Sequence, residues 1–393
     1  MTAAVLDRLD AATADLDPPF AAADLPTLRR NADDLRRRAA GTPVRVASKS
    51  VRCRAVLEEV LGADLTAHSG FRGIMAYSLR EALWLVERGA RDVLIGYPTT
   101  DRGALAALAD RPEALSAVTL MVDSSAHLEL IRDAVGTATV RPRICLDVDA
   151  SLRLGPIHLG VRRSPLRTPD GVAELARSAG AAGFAVVGVM VYEAQIAGLP
   201  DSSLPVRWVK RASAAELVTR RGAVVEAVRA VVGDLEIVNS GGTGSLEVSS
   251  ADPVVTEVTA GSGLYVPTLF DNYRAFTPHP ALFFVLPAVR KPSPSITTVF
   301  GGGYIASGPA GSSRVPRPVR PAGLRLLRNE GAGEVQTPVT GRAAGDIPLG
   351  GRVWFRHAKA GELCERFTRL YLVDEDGTRT AVPTYRGEGQ CFQ

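Results

Sequence analysis

Lysine is scarce in this chain of 393 residues: Lys49, Lys210, Lys291 and Lys359 are the four, and arginine supplies the rest of the 46 basic side chains. Cysteine is also sparse. Cys53, Cys145, Cys364 and Cys391 lie far apart and form no CxxC pair, which excludes a small disulfide scaffold and favours a reducing compartment. No run of about 18 apolar residues occurs, so no transmembrane helix is expected. The N-terminal stretch carries Asp7, Asp10, Asp15 and Asp17 and lacks the basic start and apolar core of a signal peptide, so the expected location is the cytoplasm. A large net charge is missing as well. The balance of +4 is spread along the chain, too mild to argue for a nucleic-acid partner. The one arginine-rich stretch, RVPRPVRPAGLRLLR at Arg314–Arg328, reads as a solvated loop before it reads as a patch steering an anionic substrate.

What is present is ample core-forming material, 46% hydrophobic residues with 38 glycines, enough for two domains. Short apolar runs alternate with amphipathic helical patterns. The runs are VRVAS, GIMAY, DVLIGY, VTLMVD, RICLDV, VVGVMVY, LEIVNS and TEVTA, and the intervening segments resemble SLREALWLVERGA. Consecutive βα units with a buried parallel sheet follow from that texture, and the natural closed form is an α/β fold, a (β/α)8 TIM-type barrel. After Asn272 the helical period fades and proline and glycine multiply. Short β-type runs stand at Leu282–Leu286, Ile296–Phe300, Arg352–Arg356 and Leu370–Val373. The expectation is a barrel over residues 1–272 and a C-terminal β-rich domain over 273–393, with Gly308–Pro321 as a long loop inside it.

Lys49 ends the first run, VRVASK, and barrel strands point their carboxyl ends into the active-site mouth. A lysine placed there and partly desolvated has an amine free to form a Schiff base; a lysine that merely snorkels at a strand end is the bland alternative. Directly after the seventh run stands SGGTGS, Ser240, Gly241, Gly242, Thr243, Gly244 and Ser245. Successive glycines let backbone N–H groups converge on a phosphate, and barrels commonly bind phosphate after strands seven and eight. A tight turn with no ligand has the same glycine content. After the eighth run, Gly261, Ser262 and Tyr265 in GSGLY offer further donors. A lysine and a phosphate cradle together point to pyridoxal 5′-phosphate.

These pieces resemble the alanine-racemase-like (fold-type III) pyridoxal-phosphate enzymes, and within them the D-threonine aldolase and D-serine dehydratase branch. The resemblance runs through PPFAAADLPTLRRNADDLRRRA, RVASKSVRC, GIMAYSLREALWLVERGARDVLIGYP, VYEAQI and IVNSGGTGS in order. It implies that Lys49 is the Schiff-base lysine, and that Arg163 in HLGVRRSP, or its neighbour Arg162, approaches the cofactor's phenolic oxygen. It also places Tyr192 against cofactor or substrate. His158, close to Arg163 in sequence, is a candidate acid or base. A homodimer is implied, the β domain of one subunit closing the barrel mouth of the other.

The chain departs from that branch at several points. Ala47 and Val51 stand where histidines flank the lysine, and Gln195 replaces the histidine of a Tyr-Glu-Gly-His strand end, so proton abstraction there is not available. The branch's C-terminal metal pair corresponds to FRHAKAGELCERF, where His357, Glu362 and Cys364 are candidate ligands for zinc or manganese; a buried free cysteine beside a solvated turn is the alternative. The activity this implies is a pyridoxal-phosphate-dependent lyase, an aldolase or deaminase, acting on small β-hydroxy amino acids of D configuration. An amino-acid racemase with Lys49 opposed by Tyr265 or Tyr304 is a second reading. A non-catalytic barrel that buffers pyridoxal phosphate is a third.

Overall fold

The computed structural model describes residues 2–136, 140–309 and 311–392. They divide into two compact units, one built on residues 34–48 and 57–261 and the other on residues 2–33, 49–56 and 262–391.

In the first unit eight strands form the parallel sheet, β1 Val44–Ala47, β2 Phe71–Ala76, β3 Val93–Ile95, β4 Val118–Val122, β5 Arg143–Asp147, β6 Ala185–Val191, β7 Ile237–Ser240 and β8 Glu257–Ala260. Each pairs in parallel with its sequence neighbours, and β1 pairs with both β2 and β8, so the sheet closes into a barrel. Apolar, β-branched runs buried on both faces cannot sit at an open edge, and closure removes the edge. Helices fill the crossovers, among them Leu79–Glu87, Pro169–Ala181 and the 29-residue Leu204–Val232. Their starts are legible in the sequence. Ser78 Oγ accepts from Glu81 N at 3.3 Å while Glu81 Oε2 accepts from Tyr77 N at 2.7 Å, a reciprocal cap. Thr168 caps the next helix, with Pro169 in its first turn.

Inside the barrel Leu94, Met121, Cys145, Met190 and Ile237 form an apolar layer with Met75 packed against it. Below it, toward the amino ends of the strands, lies a charged cluster. Arg45 is fully buried; its Nε and Nη2 each donate to Glu257 at 2.7 Å and its Nη1 to Asp92 Oδ1 at 2.7 Å. Asn239 Nδ2 donates to Glu257 Oε1 at 2.7 Å. Buried charges of this kind persist only when each is paired and hydrogen-bonded.

In the second unit the long strand Leu282–Ser293 pairs with Ile296–Phe300, with Arg352–Arg356 and with the N-terminal strand Phe20–Asp24. Phe20–Asp24 also pairs in parallel with Arg369–Val373. Phe20, Phe283, Val285, Trp354 and Val373 form the core here, the Trp354 ring standing edge-on to Phe20 at 5.9 Å. This pairing is why the first 33 residues group with the β-rich unit instead of the barrel, a division that composition alone drew after Asn272. The expected Gly308–Pro321 loop is partly a strand: Arg317–Arg320 pairs with Arg352–Arg356. Ala310 lies outside the described residues. Among the described residues no helix is long and apolar enough to cross a membrane.

Removing the Glu257 carboxylate leaves Arg45 buried with half its partners. The Glu257→Ala variant is expected to lose about 3 kcal/mol of stability, read from the midpoint of urea unfolding; a loss under about 1 kcal/mol would show that the cluster does not anchor the barrel floor.

Candidate active site at the carboxyl ends of the barrel strands

β1 ends at Ala47, and Ser48, Lys49 and Ser50 make one 3-10 turn beyond it. Ser48 is buried and donates to the Met75 carbonyl of β2 at 3.0 Å, whereas Lys49 is exposed. The desolvated lysine expected from the sequence is therefore not found in this chain by itself. Gly361, at φ +86°, packs so closely on the Lys49 carbonyl that a Cβ there would overlap it. Only glycine fits at that position.

At the ends of β6 and β7 a buried carboxylate organises the glycine loop. Glu193 accepts hydrogen bonds from Gly241 N at 3.2 Å, Ser245 Oγ at 2.8 Å and Ser249 Oγ. The Ser240 hydroxyl lies 2.7 Å from Glu193 Oε2 and accepts from Arg221 Nη2 at 2.9 Å. Gly242 N donates to Ser245 Oγ at 3.1 Å. Ser240, Gly241 and Gly242, expected as phosphate contacts, are thus engaged in holding the loop's shape. Gly241 has φ +87°, and a Cβ on Gly242 would come within 2.8 Å of Ala197 Cβ and 3.5 Å of Tyr192 Cε2. The glycines let the loop pass directly beside Tyr192. Thr243 and Gly244 complete the turn, and Gly261 follows the end of β8.

Tyr192 follows the last residue of β6. Burial, reinforced by the Glu193 carboxylate, pushes its phenol up to about 12, so at neutral pH it is a hydrogen-bond donor and not a base. The guanidinium of Arg163 lies 5.5 Å from the ring centroids of both Tyr192 and Tyr97, held between two aromatic faces. Arg162 is exposed beside it. His158 sits on a small hairpin, Leu152–Leu154 with Ile157–Leu159, and its Nε2 is 3.3 Å from the Val161 carbonyl. Gln195 is buried and its Nε2 donates to the Ala150 carbonyl at 2.6 Å, pinning the start of this excursion.

Sequence reasoning missed Asp147, the last residue of β5. It is 7% exposed, and burial together with the nearby Asp123 raises its carboxyl to about 7, against a lowering by Arg163. The signal was available: Asp147 ends the run RICLD two residues after the core residue Cys145, so by strand alternation it faces the barrel interior at the mouth. Glu193 and Tyr97 were missed as well.

In the second unit Tyr265 is fully buried and its hydroxyl donates to the Val51 carbonyl at 3.2 Å. Burial raises its ionisation well above the usual phenol value, with Cys364 adding to the effect. A phenol has one proton to donate, and in this conformation that proton is taken by the Val51 carbonyl. Ser262 opens the short helix that contains it. The three expected metal ligands are not brought together. His357 is buried and held neutral, its pKa brought down to about 3 by burial and by Arg356. Glu362 accepts from Ser307 N at 3.0 Å, and burial pushes the Cys364 thiol up. Among the described residues no group of three or more His, Cys, Asp and Glu side chains is placed to hold a metal. These side chains do not fit a metal centre.

A closed parallel barrel with a lysine just past its first strand and a glycine loop past its seventh, joined to a β-rich unit, defines the class of alanine-racemase-like barrel proteins. Residues 23–268 match the family described as alanine racemase, N-terminal domain, and the chain belongs to that family. No curated protein matches the sequence. Among solved structures the chain is similar to D-threonine aldolase from Filomicrobium marinum, at 21% identity over 95% of this chain and 96% of that one with TM-score 0.78. It is similar to D-threo-3-hydroxyaspartate dehydratase from Delftia sp. HT23, at 18% identity over 94% and 97% with TM-score 0.74. An alanine racemase from Clostridium difficile 630, in complex with cycloserine, shares 12% identity over 94% and 98% with TM-score 0.63. At these identities the likeness is one of fold.

The residues present at the barrel mouth fit a phosphorylated aromatic cofactor: a glycine loop stiffened by Glu193, an aromatic face at Tyr192 and a cation at Arg163. Because folding raises the Asp147 carboxyl from 3.8 to about 7, folding favours its protonated form. The stabilising contribution is full below about pH 4 and is lost as pH rises to about 7. Melting temperature is therefore expected to fall between about pH 5 and about pH 8 by more in the natural chain than in Asp147→Asn. Equal slopes would contradict the raised value.

Proposed function

We propose that this protein is a pyridoxal-phosphate-dependent lyase of β-hydroxy amino acids of D configuration, removing water and then ammonia or cleaving the Cα–Cβ bond. The observation that carries the proposal is the placement of Lys49 immediately beyond the carboxyl end of β1, in a barrel whose β6 and β7 ends present Tyr192 and the Glu193-braced glycine loop. When bound, the cofactor supplies an electron sink for the pair left at Cα. Lys49 is the residue that would hold it covalently and, once released, the amine that takes the Cα proton. Gln195 stands at the position of a family histidine and carries no basic group, which leaves that task to the lysine. Arg163 would face the cofactor's phenolic oxygen, and neutral Tyr192 would donate a hydrogen bond beside it. The choice of substrate is supported by two structurally similar proteins whose names specify D-amino acids with a hydroxyl on Cβ, a threonine aldolase and a 3-hydroxyaspartate dehydratase.

The test is spectroscopic first and catalytic second. Purified protein supplied with pyridoxal phosphate is expected to absorb near about 420 nm, and Lys49→Ala is not. D-configured β-hydroxy amino acids are then expected to yield a 2-oxo acid with ammonia, or glycine with an aldehyde, at rates at least about tenfold above their L enantiomers. Absence of the band after cofactor addition overturns the reading, and interconversion of enantiomers without cleavage replaces it with a racemase.

A further inference from the structure

The layer of side chains two residues beyond the interior core residues Met121, Cys145 and Met190 consists of Asp123, Asp147 and Tyr192. Strand alternation puts Asp147, the last residue of β5, on the interior face at the mouth, and Asp123 and Tyr192 stand one residue beyond the ends of β4 and β6. Two carboxylates near this layer already have partners. Asp123 Oδ1 lies 3.0 Å from His127 Nδ1. Asp149, two residues beyond the end of β5, accepts from Ser151 N at 2.9 Å, Ser151 Oγ at 2.8 Å and Arg153 Nη2 at 2.8 Å. Asp147 differs from both. It is more than nine-tenths buried, and among the described residues no side chain donates a hydrogen bond to its carboxyl, although the charge of Arg163 acts on it. A carboxyl at the barrel mouth without a side-chain donor is open to a water, an ion or a ligand group as its partner.

We propose that Asp147 is the catalytic acid that protonates the leaving β-hydroxyl, which makes the substrate class one with a hydroxyl and not a better leaving group on Cβ. The proposal rests on the lyase reading above and selects its dehydration branch. When the Cα proton has gone to the base of the lyase reading above, the electron pair at Cα becomes the second bond between Cα and Cβ. The Cβ–O bond breaks with its pair going to oxygen, the proton of Asp147 goes to that oxygen, and water leaves. Asp147 ends as a carboxylate and regains its proton from solvent. The groups that set its protonation are Asp123 and Asp149, which favour the neutral acid, and Arg163, which opposes them, with desolvation the largest influence. Retention of the proton near neutral pH is what a general acid needs.

A substrate whose leaving group needs no proton separates this role from a structural one. Asp147→Asn, loaded with pyridoxal phosphate, is compared with the natural chain on a D-β-hydroxy amino acid and on D-3-chloroalanine, whose chloride departs unprotonated. The variant is expected to keep the band near about 420 nm, to lose about 100-fold or more on the hydroxy substrate, and to stay within about threefold on the chloro substrate. Asp147→Glu is expected to recover part of the loss. The natural chain's rate on the hydroxy substrate should decline above about pH 7, with no such limb for chloride elimination. Equal losses on both substrates, or no loss on either, overturn the role of Asp147. A natural chain that shows the band and eliminates chloride yet never dehydrates also overturns it, leaving the cofactor assignment standing. A natural chain without the band overturns the lyase reading and this role together.

Discussion

Closure of the parallel sheet, with β1 bonded on one side to β2 and on the other to β8, is the constraint on which the candidate site depends. In a closed barrel every strand runs the same way, so every carboxyl end opens on one face and every second residue points inward. Ser48, Asp147, Tyr192 and Gly241 are far apart in sequence, yet each stands at or just past a strand end of the same barrel. The glycine loop adds a second constraint of shorter range. Glu193 takes hydrogen bonds from the loop after β7 while standing at the end of β6, so the two strand ends cannot move independently.

The barrel separates its charges by position. At the amino ends Arg45, Glu257, Asp92 and Asn239 satisfy one another almost completely, and such a cluster has nothing left to offer a ligand. At the carboxyl ends the charges are less completely matched. Arg163 is exposed and held by two aromatic faces, and among the described residues the Asp147 carboxyl has no side-chain donor. Unfinished pairing of this kind, in a site that strand ends hold in place, is where binding and proton transfer are expected.

Much of this was legible in the sequence, because the signals are local. All eight barrel strands coincide with apolar runs, and Lys49 and SGGTGS were placed by their position after such runs. What failed to show was non-local. Phe20–Asp24 reads FAAAD, with no β signal of its own, and is a strand because Leu282–Ser293 and Arg369–Val373 flank it. The bracing of Ser240 and Gly241 by Glu193 was not legible because nothing in SGGTGS reveals a carboxylate 48 residues upstream of Gly241. Tyr265 was read as a donor for a ligand because the Val51 carbonyl that takes its proton lies 214 residues away. His357, Glu362 and Cys364 are close in sequence, but among the described residues no group of three or more such side chains comes together as one set.

The most direct test of the central assignment is a peptide map of the protein after reduction with borohydride in the presence of pyridoxal phosphate. Only four lysines can carry the reduced cofactor. Two have settled surroundings, since Lys291 donates to three backbone carbonyls and Thr297, and Lys359 donates to Ser307, while Lys210 lies on the long helix Leu204–Val232 with its pKa lowered by burial. The expected result is a single modified peptide containing Lys49. Modification at Lys210, Lys291 or Lys359 in its place, or no stable adduct, would contradict the account.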